Sequence, residues 1–273
     1  MDRVSRFKTL IRTHYRRFGR SFPWRETRDP YGICVSEIML QQTQTERVLK
    51  KYPPFIAAFP SFESLAAARL GDVLALWQGL GYNRRAKALR EIAVAVCADF
   101  GGVLPGAPDI LRGFPGIGPA TAGSLAAFAY NKPSVFIETN IRRVFLHFFF
   151  EGRENVHDRE ILPLVEASLD KKNPRTWYYG LMDYGVYLKT LYPNANKRSA
   201  HYAPQSRFEN SNRQVRGAII KALTQTSGKK DRYLSLEELT RKTGFGYGRV
   251  KKAAEALAAE DMVAEKEERY GIS

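Results

Sequence analysis

Apolar residues recur at helical intervals along most of the chain. Between residues 4 and 18 they fall every three or four positions, which predicts an amphipathic helix that ends at Gly19. Further helices are predicted over 33–50 and 53–60, the second one entered through a pair of prolines. No long alternation of apolar and polar residues precedes residue 200, so strands should be scarce there. The pattern therefore predicts a mainly α-helical fold.

The helical pattern breaks sharply at the segment Gly113–Gly118, which reads GFPGIG, and resumes at Pro119. Glycines at 116 and 118 would let the backbone turn tightly and expose N–H groups at the start of the following helix. Such a turn binds phosphate through hydrogen bonds and the helix dipole. Gly116 and Gly118 are therefore candidate phosphate-binding residues, although many ordinary helix–helix turns also contain glycine and proline.

The composition changes at residues 189–212, which are polar, poor in aliphatic side chains and contain two prolines. These features predict a linker. Residues 213–273 then form a compact unit, in which a capping box at Ser235–Glu238 opens a helix. The remaining elements predicted there are a helix over 213–224, a basic helix over 249–259 and a short hairpin over 262–272.

This order of elements is typical of a winged helix-turn-helix domain, which reads DNA through its second helix. Arg249, Lys251 and Lys252 would open that recognition helix and are candidate DNA contacts. The alternative is a small helical cap that packs on the main domain.

The charge balance points to a polyanionic partner. The chain has 43 basic and 28 acidic residues, a net charge of +15, and nucleic acid is the commonest ligand of such proteins. A basic surface without a partner is the alternative. Cys34 and Cys97 are too few for a disulfide framework or a four-cysteine metal site. We expect an intracellular protein, cytoplasmic or nucleoid-associated, and no membrane span.

The segment Leu111–Gly123, LRGFPGIGPATAG, resembles the DNA-binding hairpin of the endonuclease III and MutY superfamily. Residues 30–44, with PY followed by VSEIMLQQTQ, resemble the MutY adenine glycosylase branch in particular. WQGLGY at 77–82 and NIRRV at 140–144 match the same branch. The resemblance covers roughly residues 5–188.

The resemblance implies a two-lobed helix-hairpin-helix glycosylase domain over residues 1–188, with a small winged-helix-like domain over 213–273. The chain is expected to cross between the lobes near residues 20–30 and 130–140. The linker would stand in place of the iron–sulfur loop of the relatives.

Glu37 matches the general acid of this family. Cleavage of an N-glycosidic bond to a purine is easier once the base is protonated, and a carboxylic acid beside the base supplies that proton. Glu37 precedes the apolar run Ile38, Met39 and Leu40, and burial there would raise its pKa and keep it protonated. The alternative is a solvated helical glutamate.

A second carboxylate should face the positive charge that develops on the sugar. Relatives have an aspartate where this chain has Glu138, and the extra methylene moves the carboxylate by more than about an ångström unless the backbone adjusts, enough to cost about 100-fold in rate. Glu138 indicates either a functional variant or weakened chemistry, and we favour retained catalysis. Asn140 is similar to a residue that supports the catalytic water or the sugar.

Other site residues also follow from the resemblance. Gln42 and Tyr82 would wedge into the base stack when a base is extruded, unless Tyr82 is simply a core aromatic. Trp24 and Arg25 resemble residues that line the base pocket. Arg143 would organise the site or contact a phosphate.

The chain departs from the family pattern at Ala120, where bifunctional relatives have a lysine that attacks the sugar, so no strand-cleaving lyase activity is expected. The four cysteine positions of the iron–sulfur loop are occupied by Lys189, Asn196, Ser199 and Gln205, so neither a cluster nor another metal site is expected. The resemblance allows a monovalent cation at the hairpin.

The expected function is that of a monofunctional DNA glycosylase which acts as a monomer on duplex DNA containing a mispaired or damaged base. Adenine opposite guanine or 8-oxoguanine is the first substrate expected. One alternative is another mismatched, deaminated or modified base, because Glu138 and Ala120 are unusual and no Nudix-like domain is recognised. A second alternative is a non-catalytic protein that binds lesions.

Overall fold

The computed structural model describes residues 2–205, 207–225 and 233–273. Ser206 of the predicted linker and residues 226–232 of the predicted C-terminal domain lie outside the described residues. The described helices are α1 Arg3–Phe18, α2 Pro23–Glu26, α3 Pro30–Leu40, α4 Thr45–Ala58, α5 Phe62–Ala67, α6 Leu70–Trp77, α7 Arg84–Phe100, α8 Pro108–Leu111, α9 Pro119–Tyr130, α10 Thr139–Phe149, α11 Asp158–Ser168, α12 Pro174–Leu191, α13 Asn212–Thr224, α14 Leu236–Thr243 and α15 Tyr247–Ala258.

Three short strands, all near the C-terminus, accompany these helices: β1 Leu234–Ser235, β2 Val263–Lys266 and β3 Arg269–Ile272. The mainly α-helical prediction is confirmed. The described chain has no helix both long and apolar enough to cross a membrane.

Local capping explains several helix boundaries. The Asp2 side chain accepts a hydrogen bond from the backbone N–H of Ser5 and starts α1, which ends before Gly19 as predicted. The predicted capping box is present at the start of α14, where Ser235 and Glu238 each accept from the other's backbone N–H.

The prediction of one helix over 33–50 and another entered at Pro53 is wrong. The chain leaves α3 after Leu40, turns through Gln42 in the left-handed region with φ of 52°, and enters α4 at Thr45. Helix α4 continues through both prolines. Its buried face, which contains Val48, Tyr52 and Phe55, extends across them, and this packing offsets the cost of about 3 kcal/mol for an interior proline.

The first compact unit comprises residues 2–37, 105–113 and 117–204. Helix α12 is its central element, in contact with α1, α9 and α10. The core is rich in aromatic side chains, and those with less than 2% of their surface exposed include Phe128, Phe145 and Tyr178. The residues described below around Glu37 belong to this unit.

The second unit comprises residues 38–104, 114–116, and the described part of 205–273. Helix α7 packs on α5 and α6, and α13 packs on α6, α14 and α15. The strands form an antiparallel sheet in the order β1-β3-β2, with Leu234 opposite Tyr270 and Val263 opposite Ile272. The predicted helix–helix–helix–hairpin order is therefore observed, while the winged-helix assignment and its domain limits stay predictions.

The chain passes between the units after Glu37, after Leu104 and after Pro204, as well as on either side of residues 114–116. These positions differ from the crossings expected near 20–30 and 130–140. Helix α3 and the segment Gly113–Gly118 are each divided between the two units.

The predicted linker is folded over much of its length. Helix α12 extends to Leu191, and residues 195–198 form a 3₁₀ turn. Asn196 is 4% exposed and donates from its amide to the Thr139 carbonyl at 3.1 Å, and Arg198 donates to the Phe150 carbonyl at 2.6 Å. Because these polar side chains bind α10 and its end, a polar composition here does not produce a free linker.

Candidate active site

Glu37 lies near the end of α3 and is half-buried. The Ser124 hydroxyl on α9 donates to Oε2 of Glu37 at 2.5 Å. The carboxyl group is thus held by one specific partner and keeps partial access to solvent, which a general acid needs in order to reach a substrate.

The surroundings raise the pKa of Glu37 to about 7, chiefly because burial penalises the ionised form. The nearby negative charge of Glu138 also raises it, while the Ser124 hydrogen bond and the positive charge of Arg25 lower it. At neutral pH a large fraction of the group therefore carries a proton, unlike the solvated glutamate considered as the alternative.

Ser124 suits both protonation states of Glu37. Its oxygen also lies 3.0 Å from the Thr121 carbonyl, a second acceptor for the same hydroxyl proton. When Glu37 is ionised, Ser124 donates to it; when Glu37 is protonated, Ser124 donates to Thr121 and accepts from the carboxyl. Sequence reasoning missed Ser124. Its position one helical turn after Ala120 was the one feature of the sequence that could have indicated a place in the site.

Glu138 occupies the N-cap position of α10. Its Oε1 accepts from the backbone N–H groups of Asn140 and Ile141, each at 2.8 Å, and Oε2 accepts from the Asn140 side chain at 3.3 Å. The pKa of Glu138 is raised, chiefly by burial, although these backbone bonds and the charges of Arg143 and Arg142 partly offset the rise. The extra methylene is thus absorbed by folding the side chain back onto the helix terminus.

Asn140 joins Glu138 to Arg143 in a short polar chain. Its side-chain oxygen accepts from Nη1 of Arg143 at 2.8 Å, and the same nitrogen donates to the Gly185 carbonyl at 2.9 Å. Arg143 is 6% exposed. Of its two predicted roles, these contacts favour organising the site over contacting a phosphate.

Gly185 permits this arrangement. A β-carbon at that position would lie 2.5 Å from the backbone oxygen of Asn140 and 2.7 Å from its Cβ. Helices α10 and α12 therefore approach each other closely at the residue that supports Glu138.

Arg25, predicted to line the base pocket, is held by Asp183. Its two terminal nitrogens donate to the two oxygens of Asp183, each at 2.9 Å, and its guanidinium lies 4.4 Å from the Tyr179 ring centre. Arg20 donates to the same carboxylate through its backbone N–H and its side chain. These contacts hold the pKa of Asp183 low despite its burial.

Trp24 is 4% exposed and stacks on Phe22 with ring centres 5.1 Å apart. Sequence reasoning missed Asp183 and Tyr179; a single carboxylate among the buried aromatic residues of α12 was the available sign.

The hairpin has the predicted backbone. Gly116 has φ of 73°, a conformation that disfavours side chains, and its carbonyl accepts from the Gln41 side chain at 3.1 Å. Gly118 is the N-cap of α9, where no side chain caps the helix and nothing lies within 4 Å of a β-carbon built on it. The first-turn N–H groups of α9 therefore lack a side-chain cap, as an anion site requires.

Gln42 is exposed and Tyr82 is half-buried, and both have left-handed backbones, with φ of 52° and 48°. Arg85 holds both turns. Nη1 donates to the carbonyls of α3 at Ile38 and Met39 and of the turn at Gln41, at 2.5–2.9 Å. Nη2 donates to the Thr43 hydroxyl and to the carbonyls of Leu80 and Gly81, at 2.9–3.2 Å.

Burial lowers the pKa of Arg85 to about 10, which still leaves it charged at neutral pH. One buried cation therefore fixes the two loops that carry the predicted wedge residues.

The basic residues predicted to open a recognition helix differ in their surroundings. Arg249 is exposed, donates to the Asn210 carbonyl at 2.8 Å and lies 5.3 Å from the Phe245 ring centre. Lys251 and Lys252 are exposed on α15. The predicted site residues are divided between the two units. The second unit contains Gln42, Tyr82, Gly116 and these three cations, and the first unit contains the others.

The positions of the missing cluster ligands do not fit iron–sulfur chemistry. Asn196 and Ser199 are buried and hydrogen-bonded, to the Thr139 carbonyl and the His201 N–H respectively. Neither amide nor hydroxyl replaces a thiolate ligand. Across the described ranges no three histidine, cysteine or acidic side chains lie close enough to hold a metal ion.

The glycine turn leading into α9, followed by a carboxylate that caps α10, defines a helix-hairpin-helix protein. The profile described as "HhH-GPD superfamily base excision DNA repair protein" matches residues 35–162. An adenine DNA glycosylase of Mycolicibacterium smegmatis is 33% identical over 226 residues, covering 76% of this chain and 77% of that protein. The chain belongs to the HhH-GPD superfamily of base excision DNA repair proteins.

An adenine DNA glycosylase of Mycobacterium tuberculosis is 44% identical over 137 residues, which cover 50% of this chain and 45% of that protein. The chain thus spans about half the length of several curated relatives that it matches. Among solved structures, that of a thermostable thymine-DNA glycosylase has a TM-score of 0.61 and 28% identity, covering 67% of this chain and 86% of that one.

Proposed function

We propose that this protein is a monofunctional DNA glycosylase, which extrudes a base from duplex DNA and hydrolyses its N-glycosidic bond. The observation that carries the proposal is Glu37, whose half-buried carboxyl has a pKa raised to about 7 and is held by Ser124. Membership of the base excision repair superfamily supports the same reaction.

In the first step Glu37 donates its proton to a ring nitrogen of the extruded base. The bond from that base to C1′ then breaks, and its electron pair leaves with the base. The sugar becomes an oxocarbenium ion. Water adds to C1′, and the proton it loses restores the carboxyl of Glu37. A general acid of this kind contributes about 100- to 10,000-fold to the rate.

Glu138 is proposed to supply negative charge near the sugar cation. Burial raises the pKa of Glu138 overall, and its N-cap bonds together with the positive charge of Arg143 oppose that rise and stabilise the ionised form. Because two backbone N–H groups hold Oε1, the carboxylate is pre-oriented rather than free to move. Asn140 stabilises this orientation through its contact with Oε2.

The alanine at position 120 favours the proposal that hydrolysis occurs without strand cleavage. It lies in the first turn of α9, and its methyl group has no nucleophilic atom to attack the sugar. The proposed product is therefore an intact strand with an abasic site. The proposal involves no iron–sulfur cluster, and a monovalent cation at the hairpin stays a prediction.

Duplex DNA is the proposed partner of a monomeric enzyme. The net charge of +15 favours binding to phosphates, and the uncapped N-terminus of α9 suits one backbone phosphate. Gln42 and Tyr82 are proposed to enter the base stack, because both lie in tight turns fixed by Arg85.

Adenine mispaired with guanine or 8-oxoguanine is the proposed substrate, on the strength of the adenine glycosylases that the chain resembles. Excision of a mismatched pyrimidine is the second candidate. The structural likeness to a thymine-DNA glycosylase, at 28% identity, favours it.

The test is an excision assay on duplexes with single mispairs or damaged bases, each analysed with and without alkali. We expect strand breaks after alkali only, at adenine opposite guanine or 8-oxoguanine. Breaks confined to thymine or uracil would establish the second candidate. Breaks without alkali would refute the monofunctional assignment, and binding without excision of any base would refute the enzyme.

A further inference from the structure

The Tyr82 hydroxyl is held by two residues from far along the chain. The side-chain amide of Gln205 donates to it at 2.7 Å, and Nη1 of Arg213 donates to it at 2.5 Å. The Arg213 guanidinium lies 5.1 Å from the centre of the Tyr82 ring. All three residues belong to the second compact unit.

Hydrogen bonds fix the start of α13, the helix that carries Arg213. Ser211 caps α13 by accepting from the Gln214 N–H, and the Gln214 side chain accepts in turn from the Asn210 N–H at 2.7 Å. Arg249 of α15 donates to the Asn210 carbonyl at 2.8 Å. The start of α13 is therefore fixed both locally and by α15.

A second contact joins α13 to the helix that follows Tyr82. The Glu260 carboxylate accepts from Arg216 of α13 and from Arg84, the first residue of α7. Both arginines lower the pKa of Glu260 to about 2, and the hydrogen bond from Arg84 has the largest effect. Because Arg84 is two residues from Tyr82, the ion pairs fix α13 close to the turn that carries the ring.

We propose that Arg213 and Gln205 are positioning residues, through which the C-terminal segment orients Tyr82 for insertion into DNA. The inference rests on the proposed function and extends it, since it gives this segment a part in base extrusion. An untethered tyrosine would sample several rotamers and lose conformational freedom on stacking; the two bonds restrict it beforehand.

The first measurement is base extrusion, independent of chemistry. A 2-aminopurine placed beside the target pair fluoresces when its stacking is disturbed. We expect Arg213→Ala to lower the fluorescence change at saturating protein, and the single-turnover excision rate, by about fivefold. Arg213→Lys, which keeps one donor, should recover part of both.

Arg241→Ala is the matched control, because Arg241 is an exposed arginine on α14 and its loss removes the same charge. It should leave extrusion at saturating protein unchanged. Equal extrusion by the two variants would overturn the proposal.

Tyr82→Phe tests the contact with minimal risk to folding, since it removes a single oxygen. If Arg213 acts through that oxygen, the double variant Tyr82→Phe/Arg213→Ala should be no worse than Tyr82→Phe alone, which already loses the bonds from both Gln205 and Arg213. If the losses of extrusion in the two single variants multiply in the double variant, the proposal is overturned. An unchanged 2-aminopurine signal on adding the wild-type protein would also overturn it. Normal extrusion without excision of any base would instead refute the proposed function alone.

Discussion

Replacing Glu37 with glutamine should make the folded protein more stable at alkaline pH. The pKa of Glu37 is raised from 4.5 to about 7 in the folded chain, so the folded state binds more protons than the unfolded state between these values. The free energy of unfolding of the wild type therefore falls as pH rises through this window. Glutamine lacks the ionisation and still accepts the Ser124 hydrogen bond.

The size of the effect follows from the two pKa values. A shift from 4.5 to about 7, at about 1.36 kcal/mol per unit, sets an upper limit of about 3 kcal/mol. Glu37 is only half-buried, and water screens part of this cost, so we expect about 2 kcal/mol. For a chain of 273 residues that corresponds to about 4–8 °C in Tm.

The assay is thermal unfolding of the wild type and Glu37→Gln at pH 5, 6, 7 and 8. The variant should gain little at pH 5 and most at pH 8, while excision falls by about 100-fold or more. Glu166→Gln, at an exposed position of α11, is the control and should show no such pH-dependent gain. A Tm difference that stays constant from pH 5 to pH 8 would refute the raised pKa of Glu37.

Three further variants test the site. Ser124→Ala removes the hydrogen bond that lowers the pKa of Glu37, so the fall of kcat/KM above about pH 7 should move to higher pH; an unmoved profile would contradict this. Gly185→Ala places a β-carbon 2.5 Å from a carbonyl of α10 and should cost about 2 kcal/mol in denaturant unfolding, whereas Gly217→Ala, with open space, should not. Asp183→Asn leaves two arginines without their carboxylate and should cost about 3 kcal/mol; a loss below about 1 kcal/mol would refute its role.

Much of the secondary structure could be predicted because it depends on neighbouring residues. The cap at Ser235 and the turn at Gly116 follow from local chemistry. The helix expected over 33–50 failed because its apolar period continues through residues 41–44, whereas the Arg85 contacts favour a turn there. Arg85 is more than 40 positions away from that turn, so no local pattern reveals it.

Prediction of the site was uneven for the same reason. Glu37 was found because it lies inside a contiguous motif, and Glu138 because it lies close after the hairpin helix. The folding of Glu138 onto α10 was not foreseen, since it depends on the N–H groups that the helix exposes. Asp183 was missed because its partner Arg25 is 158 positions away.

The sequence by itself determined the helical content, the glycine turn that precedes α9, the carboxyl at 37 and the excess of positive charge. Each of these depends on residue type and on neighbours within a few positions. Only the tertiary structure decided how protonated that carboxyl is, because burial and the charge of Glu138 set its pKa. Only the tertiary structure placed Arg213 against Tyr82, 131 positions apart, because packing of α13 on α6 brings them together.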